Sequence, residues 1–418
     1  QQQICADVIP ALETEDPMIS IVETQSAEGA PVAIVDYATG GEGIRWTSKR
    51  IVCRFAGKGF ARGRQTLVGV EVDNMPLSEV QLWTLNRFWL GELGAVAEGR
   101  DRIVRRPDDG SSPAIGYFLQ QLVNGAVVSA LYALIAVAYA LVYGVTGRIN
   151  LAFGEMATTG AYGAVIGVVA AVAIGRPDIA GALSLGVAMA IAVTVLWGNA
   201  IARTIIVPLM RKRSAATIVA TLGAAIALEE ALRLAQGTRE RWLQPVLNDP
   251  HILYGGSFPV IVTTMQGLIL WATLLTILAL LLAMRITAFG RDWRAVADDP
   301  KMAALVGIDV PDTVLKSFSA ASVLAALAGA ILTLHYGGTS FSMGLMIGLK
   351  ALVAAIVGGI GSPGGAAVGG LVIGFTETFW SAYMPMAYRD VVVLGILVVV
   401  LILRPGGLVG LPAQGKRP

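Results

Sequence analysis

Residues 117–145 read YFLQQLVNGAVVSALYALIAVAYALVYGV and carry no Asp, Glu, Lys or Arg. A helix needs roughly 20 apolar residues to cross a hydrocarbon core about 30 Å thick. This stretch exceeds that length, so lipid rather than water is the solvent that shapes it. Eight more apolar stretches follow, near 153–174, 180–202, 215–235, 263–284, 315–336, 346–360, 364–382 and 389–404. The expectation is an all-α polytopic membrane protein with about eight to nine transmembrane helices. Composition agrees: charged residues make up 14% of the chain, against roughly 25% in soluble domains. The seventh and eighth stretches are broken by Gly358-Gly359-Ile360-Gly361-Ser362-Pro363-Gly364-Gly365. Irregular backbone at that depth survives only inside protein or facing water.

Upstream of the first span the chain changes character. Residues 1–115 hold 12 Lys/Arg against 16 Asp/Glu, a net of −4, while residues 116–418 hold 19 against 13, a net of +6. Short β-prone runs at Ile19–Val22, Pro31–Asp36, Arg50–Phe55 and Thr66–Val72 are separated by turns such as Gly40-Gly41-Glu42-Gly43. Leu77–Leu90 follows a helical period, with Pro76 near its start. A polar boundary, Arg105-Arg106-Pro107-Asp108-Asp109-Gly110, then leads to the membrane. A small α+β domain with its linker is therefore expected over 1–113, and a transmembrane domain over 114–418.

Both cysteines, Cys5 and Cys53, fall in the first part. They are a candidate disulfide if that part is exported, and two unrelated thiols otherwise. The chain begins at Gln1 with no charged-then-apolar leader, which fits either a removed leader or a shortened chain. Basic residues set the expected orientation. Thirteen lie in or beside 146–152, 203–214, 285–314 and the C-terminal tail, against five on the opposite side: Arg176, Arg233, Arg239, Arg241 and Arg389. The first set then faces the cytoplasm. An odd number of spans puts the N-terminal domain outside and the C-terminus inside.

Several groups in the apolar part invite a role. Gln121, Gly125, Tyr132, Tyr139 and Tyr143 fall on one side of the first span. That stripe suits a translocation pathway, or a helix contact held by polar groups. Asn150 could cap the next helix with Glu155 in its first turn, and capping alone explains both. Lys350 and Glu377 are ionisable groups in apolar surroundings, either paired or with Lys350 reaching for the interface. Gly361/Gly365, Gly365/Gly369 and Gly370/Gly374 are spaced for close helix approach, and Gly358 and Gly359 join them as packing positions.

Between Leu268–Met284 and Val314–Leu334 lies a charged island, 291–308. It holds Arg291, Arg294, Asp298, Asp299, Lys301, Ala303 and Gly307, with Asp299 placed to cap a helix that starts at Pro300. Met302, Leu305, Val306 and Ile308 would form a short apolar face, fit either for a cleft in another protein or for the lipid surface. Enzyme signals are poor. There are two histidines, His251 and His335, no metal-ligating pair and no phosphate-binding Gly-x-x-x-x-Gly-Lys-Ser/Thr loop. No catalytic residue, metal or cofactor is expected, and nothing calls for nucleic acid.

From Gln120 onward the chain resembles the branched-chain amino acid ABC permease family, nearest to the smaller of its paired permeases and to the related urea permeases. The segments that carry this are Gln121-Leu122-Val123-Asn124-Gly125, Tyr132-Ala133-Leu134-Ile135-Ala136, Gly147-Arg148-Ile149-Asn150-Leu151-Ala152-Phe153-Gly154-Glu155, Arg294–Ala303, Val357–Ser362 and Arg404-Pro405-Gly406-Gly407-Leu408. The resemblance implies a bacterial inner-membrane importer of branched-chain amino acids, urea or a similar small polar solute. Two homologous permeases would form its pore, two cytoplasmic ATPases would bind the ATP, and an external binding protein would deliver the solute. It also implies that 291–308 engages an ATPase. Gln121, Asn124, Tyr132, Asn150, Glu155 and Glu377 are the pathway candidates. Where the family usually has His before Gly-Glu, this chain has Phe153. Urea-type relatives often carry an extra external N-terminal domain, which favours urea or an amide. The rival readings are a self-sufficient carrier or channel using Lys350 and Glu377, and a sensor whose bundle serves only as an anchor.

Overall fold

The computed structural model describes residues 1–13, 18–26, 31–41, 44–57, 66–90, 96, 99–100, 103, 113–175, 178–210, 214–243, 247–254 and 258–409. The expected boundary at 105–110, the turn at 42–43 and the basic positions 176, 211–213 and 416–417 lie outside them. The chain forms two compact units: Gln1–Gly116 with Gly255–Phe258, and Tyr117–Tyr254 with Pro259–Pro418.

The first unit is an antiparallel sheet of five strands in sequential order, β1 (Met18–Ser26), β2 (Val32–Gly41), β3 (Ile44–Phe55), β4 (Leu67–Val72) and β5 (Met75–Pro76). Ala33, Val35 and Tyr37 alternate inward on β2, the period of two that one buried face requires. Helix α1 (Gln2–Leu12) covers that face with Val8 and Ile9. The β-prone runs were legible, but α1 was not, because Pro10 interrupts its pattern. A second helix, α2 (Glu79–Thr84), is started by a Ser78/Gln81 capping box and continues through a wide turn at Leu85–Trp89. It packs Leu82, Leu85 and Trp89 against the sheet. Cys5 and Cys53 are bonded, their Cα atoms 5.8 Å apart, which ties α1 to β3.

The second unit has, among the described residues, seven helices long and apolar enough to cross a membrane. They are α3 (Pro113–Thr146), α4 (Phe153–Ala173), α5 (Ile179–Ile201, prolonged to Leu209), α6 (Ser214–Gln236), α7 (Thr264–Ile286), α10 (Val310–Tyr336) and α13 (Arg389–Leu403, whose span starts with the turn at Met386). Short helices α8 (Ala288–Asp298) and α9 (Pro300–Leu305) lie between α7 and α10. Helices α3, α4 and α10 are largely buried within the unit, whereas α5, α6, α7 and α13 turn most of their surface outward. Glycines on α4 permit the close crossing: Gly160 lies against Ala326 of α10, and Gly163 against Ala190 of α5.

The expected seventh and eighth spans are corrected. Helices α11 (Gly344–Gly358) and α12 (Pro363–Tyr383) are bent by 119° at the glycine break, so they are two arms of one folded element rather than independent straight spans. Gly359 (φ 117°) and Gly361 (φ 97°) supply backbone angles that a side chain resists. Gly358 meets Gly365, and Gly369 meets Ala354, at separations that leave no room for a Cβ.

Candidate functional site

The site lies where the first span meets this folded element. Tyr132 on α3, Lys350 on α11, Glu377 on α12 and Arg389 and Asp390 at the start of α13 converge. Tyr132 donates its hydroxyl hydrogen to Glu377 Oε2 at 2.6 Å. Lys350 Nζ donates to Glu377 Oε1 at 2.8 Å and lies 2.8 Å from Asp390 Oδ1. Arg389 Nε is 3.2 Å from Glu377 Oε1, an ion-pair distance without hydrogen-bond alignment. Two cations and two carboxylates therefore sum to no formal charge. Lys350 and Glu377 are nearly enclosed, and buried charges persist when paired like this, because each would otherwise lose its hydration uncompensated.

Beside the quartet opens a cavity of about 460 Å³ lined by Gln121, Asn124, Tyr132, Glu377 and Arg389 on its polar side. Val128, Leu131, Leu332, Ile347 and Met386 form its apolar wall. Helix α12 is held against α3 by Gly370 on Ala133 and Gly374 on Ser129. That contact brings Glu377, one turn further on, within reach of Tyr132.

Four of the six pathway candidates, Gln121, Asn124, Tyr132 and Glu377, thus share one cavity. Asn150 and Glu155 do not line it. Asn150 is not the cap that its position suggested. Ala152 is the N-cap residue of α4, and Asn150 accepts from the Ala152 N–H at 3.0 Å. Glu155 is buried in the first turn of α4, against Gly344 where α11 begins. The polar stripe on α3 divides. Gln121 and Tyr132 face the cavity, Gly125 is filled by Phe375, and Tyr139 packs edge-on to Phe153. Phe153, in place of the family's His, also stacks on Phe318 and is fully buried. Arg389 and Asp390 escaped sequence reading because charges at a span end look like ordinary interfacial residues.

A second arrangement occupies 288–305. Asp299 caps α9 by accepting from the N–H groups of Lys301 and Met302, as its place before Pro300 predicts. Arg294 hydrogen-bonds to the Met284 carbonyl. Trp293, not singled out by the sequence, anchors α8. Its indole N–H donates to the Leu141 carbonyl at 2.9 Å, and its ring fills the space beside Gly144 of α3. Ala303 is buried and packs against the bundle, beside the expected apolar face. Met302, Leu305 and Val306 remain exposed at 61%, 80% and 76%. Gly307 adopts φ 92°, which ends α9.

Residues 121–401 match the model of the branched-chain amino acid transport system permease component. The chain belongs to that family. It is 36% identical over 301 residues to the high-affinity branched-chain amino acid transport system permease protein LivH of Escherichia coli, covering 72% of this chain and 98% of the relative. BraD of Pseudomonas aeruginosa, a permease protein of the same description, is 36% identical over 306 residues, 73% of this chain and 99% of its own. An autoinducer 2 import permease, LsrC of Yersinia pestis, is 33% identical over 157 residues, 38% of this chain and 42% of its own. This multi-pass membrane protein is accordingly a non-catalytic permease component of an ABC transport system, which works with ATPase and binding-protein partners. The first 120 residues precede the matched region.

Proposed function

We propose that this permease passes a branched-chain amino acid in its zwitterionic form through the Tyr132–Glu377 cavity. The carrying observation is the neutral quartet Lys350, Glu377, Arg389 and Asp390 set beside an aliphatic wall. A zwitterion offers one carboxylate and one ammonium, so it exchanges partners with such a quartet without leaving net charge in the membrane. Its branched side chain takes the wall of Val128, Leu131, Leu332 and Ile347.

Uptake of labelled leucine and of labelled urea, measured in vesicles from cells expressing the full transport system, tests this reading. Leucine uptake that zwitterionic competitors suppress, and uncharged amides do not, is expected. Urea uptake without leucine uptake would replace it. Urea or an amide is the second reading, supported by the extra N-terminal unit and by the amides of Gln121 and Asn124 in the cavity wall.

On this reading two ATPases dock on the cytoplasmic side, one of them against Met302, Leu305 and Val306. A second homologous permease completes the pore, and an external binding protein supplies the solute. The basic-residue bias supports a cytoplasmic 291–308. The bend beyond a right angle between α11 and α12 favours an element that returns to its starting side. Seven crossings then keep the N-terminal unit external and the C-terminus cytoplasmic. The ATPase cycle moves α8 and α9, Trp293 hands that movement to α3, and the cavity opens alternately to either side.

A further inference from the structure

Helix α2 and its wide turn have two apolar faces, and the sheet uses only one. Leu82, Leu85 and Trp89 pack inward. On the opposite side Val80, Trp83 and Phe88 are 73%, 60% and 57% exposed, with Thr84 and Arg87 exposed between them. These five positions follow i, i+3, i+4, i+7 and i+8, the spacing of one helix face. The Trp83 and Phe88 rings meet edge to face at 5.4 Å, so the stripe is one contiguous aromatic surface.

We propose that this face is a docking surface for the phospholipid headgroup layer of the membrane that the chain itself spans. Two observations select that partner. The first is chemical. Tryptophan and phenylalanine around a cation suit the headgroup boundary, where rings bury their apolar body and an arginine meets lipid phosphate. The second is reach. Asp7 takes hydrogen bonds from Arg100 at 2.8 and 2.7 Å, and Ile103 bridges to Ile19, so the chain is fastened to the domain up to Ile103. The first membrane helix begins at Pro113. Ten residue steps of roughly 3.5 Å span at most about 35 Å, comparable to the diameter of a domain this size. The domain is therefore held beside a bilayer whatever else it meets.

The test uses the full chain in lipid nanodiscs that hold no other protein. A nitroxide is attached at Thr84→Cys, with a second label at Gln25→Cys on the exposed part of β1 as the aqueous reference. The expected result is severalfold more collision with oxygen than with a water-soluble nickel chelate at position 84, relative to position 25. Trp83→Ala with Phe88→Ala should abolish that preference while the β2–β3 amides keep their hydrogen-exchange protection. Arg87→Glu should weaken it in anionic lipid more than in zwitterionic lipid. Equal nickel access at both positions would overturn the proposal. So would protection at Thr84 that arises only on adding a binding protein, or that scales with the concentration of the chain. These last two outcomes would assign the face to a protein partner or to a second copy.

Discussion

The molecule builds the same three-residue arrangement twice, in two solvents. In the N-terminal unit, Glu13 accepts from the Tyr37 hydroxyl at 2.9 Å and from Lys49 Nζ at 2.9 and 3.0 Å. In the membrane unit, Glu377 accepts from Tyr132 at 2.6 Å and from Lys350 at 2.8 Å. Distances hardly separate them; surroundings do. The Lys49 side chain is 32% exposed and that of Lys350, on the folded element, is 14% exposed. The first group ties Glu13, just after α1, to Tyr37 on β2 and Lys49 on β3, with its lysine one-third open to water. In the membrane unit the lysine is more enclosed. There Lys350 also meets a second carboxylate, Asp390, and Glu377 a second cation, Arg389.

The largest expected effect comes from removing the cation. Lys350→Met leaves the buried Glu377 with Arg389 as its remaining cation and should cost up to about 3–5 kcal/mol, with loss of transport. Lys49→Met should cost less, because the Lys49 side chain is 32% exposed against 14% for Lys350. Thermal unfolding of both variants in nanodiscs, followed by uptake, compares them, and equal losses would break the distinction. Adding Glu377→Gln to Lys350→Met should restore stability without restoring transport.

Next in size is the hydroxyl. A hydrogen bond to a charged group contributes roughly 1.5–3 kcal/mol when nothing replaces it. Tyr132→Phe and Tyr37→Phe should both approach that range, because Glu377 and Glu13 are almost equally enclosed. A calorimetric comparison of the two decides. Salt sharpens the contrast further. At about 1 M the Debye length falls to about 3 Å, so the coupling between Lys49 and Glu13 in a double-mutant cycle should fade. That between Lys350 and Glu377 should persist.

The smallest effect concerns acid. The Arg50 guanidinium, hydrogen-bonded to Asp36, holds that carboxyl below the usual carboxylate range. A group depressed in the folded state contributes stability above its unfolded pKa of about 3.9 and loses it as pH falls through the folded value. Asp36→Asn should therefore lower stability slightly at neutral pH and flatten its loss in acid. Hydrogen exchange at the β2–β3 amides measures both. Tyr37 adds nothing to this profile near neutrality, since burial and the Glu13 carboxylate hold its proton well above the ordinary tyrosine range.

Length and polarity made much of this legible. Uncharged runs marked the spans, β-branched runs marked the strands, and ionisable groups in apolar surroundings singled out Lys350 and Glu377. Angles and depth were not legible. Hydropathy measures how long an apolar run is, so α11 and α12 read as two crossings although Gly359 and Gly361 bend the chain back. Asn150 precedes a helix by three residues rather than one, a difference that no composition rule resolves. Nothing in the sequence singled out Trp293, and only the structure places it beside Gly144. Arg389 and Asp390 needed the fold of α12 to bring Glu377 to them.

The Trp293–Gly144 contact has a mechanical side. Helix α3 runs 34 residues, about 51 Å at 1.5 Å per residue, and has no glycine or proline between Ala126 and Tyr143. It is a stiff rod, gripped near one end by an indole and bearing Gln121 and Tyr132 toward the other. A tilt applied at Leu141 arrives at Gln121 amplified by leverage, with no relay of side-chain rearrangements between them. A hinge engineered into the middle, such as Ala136→Gly, should then absorb the stroke, and the ATPases would turn over while the solute stays where it is.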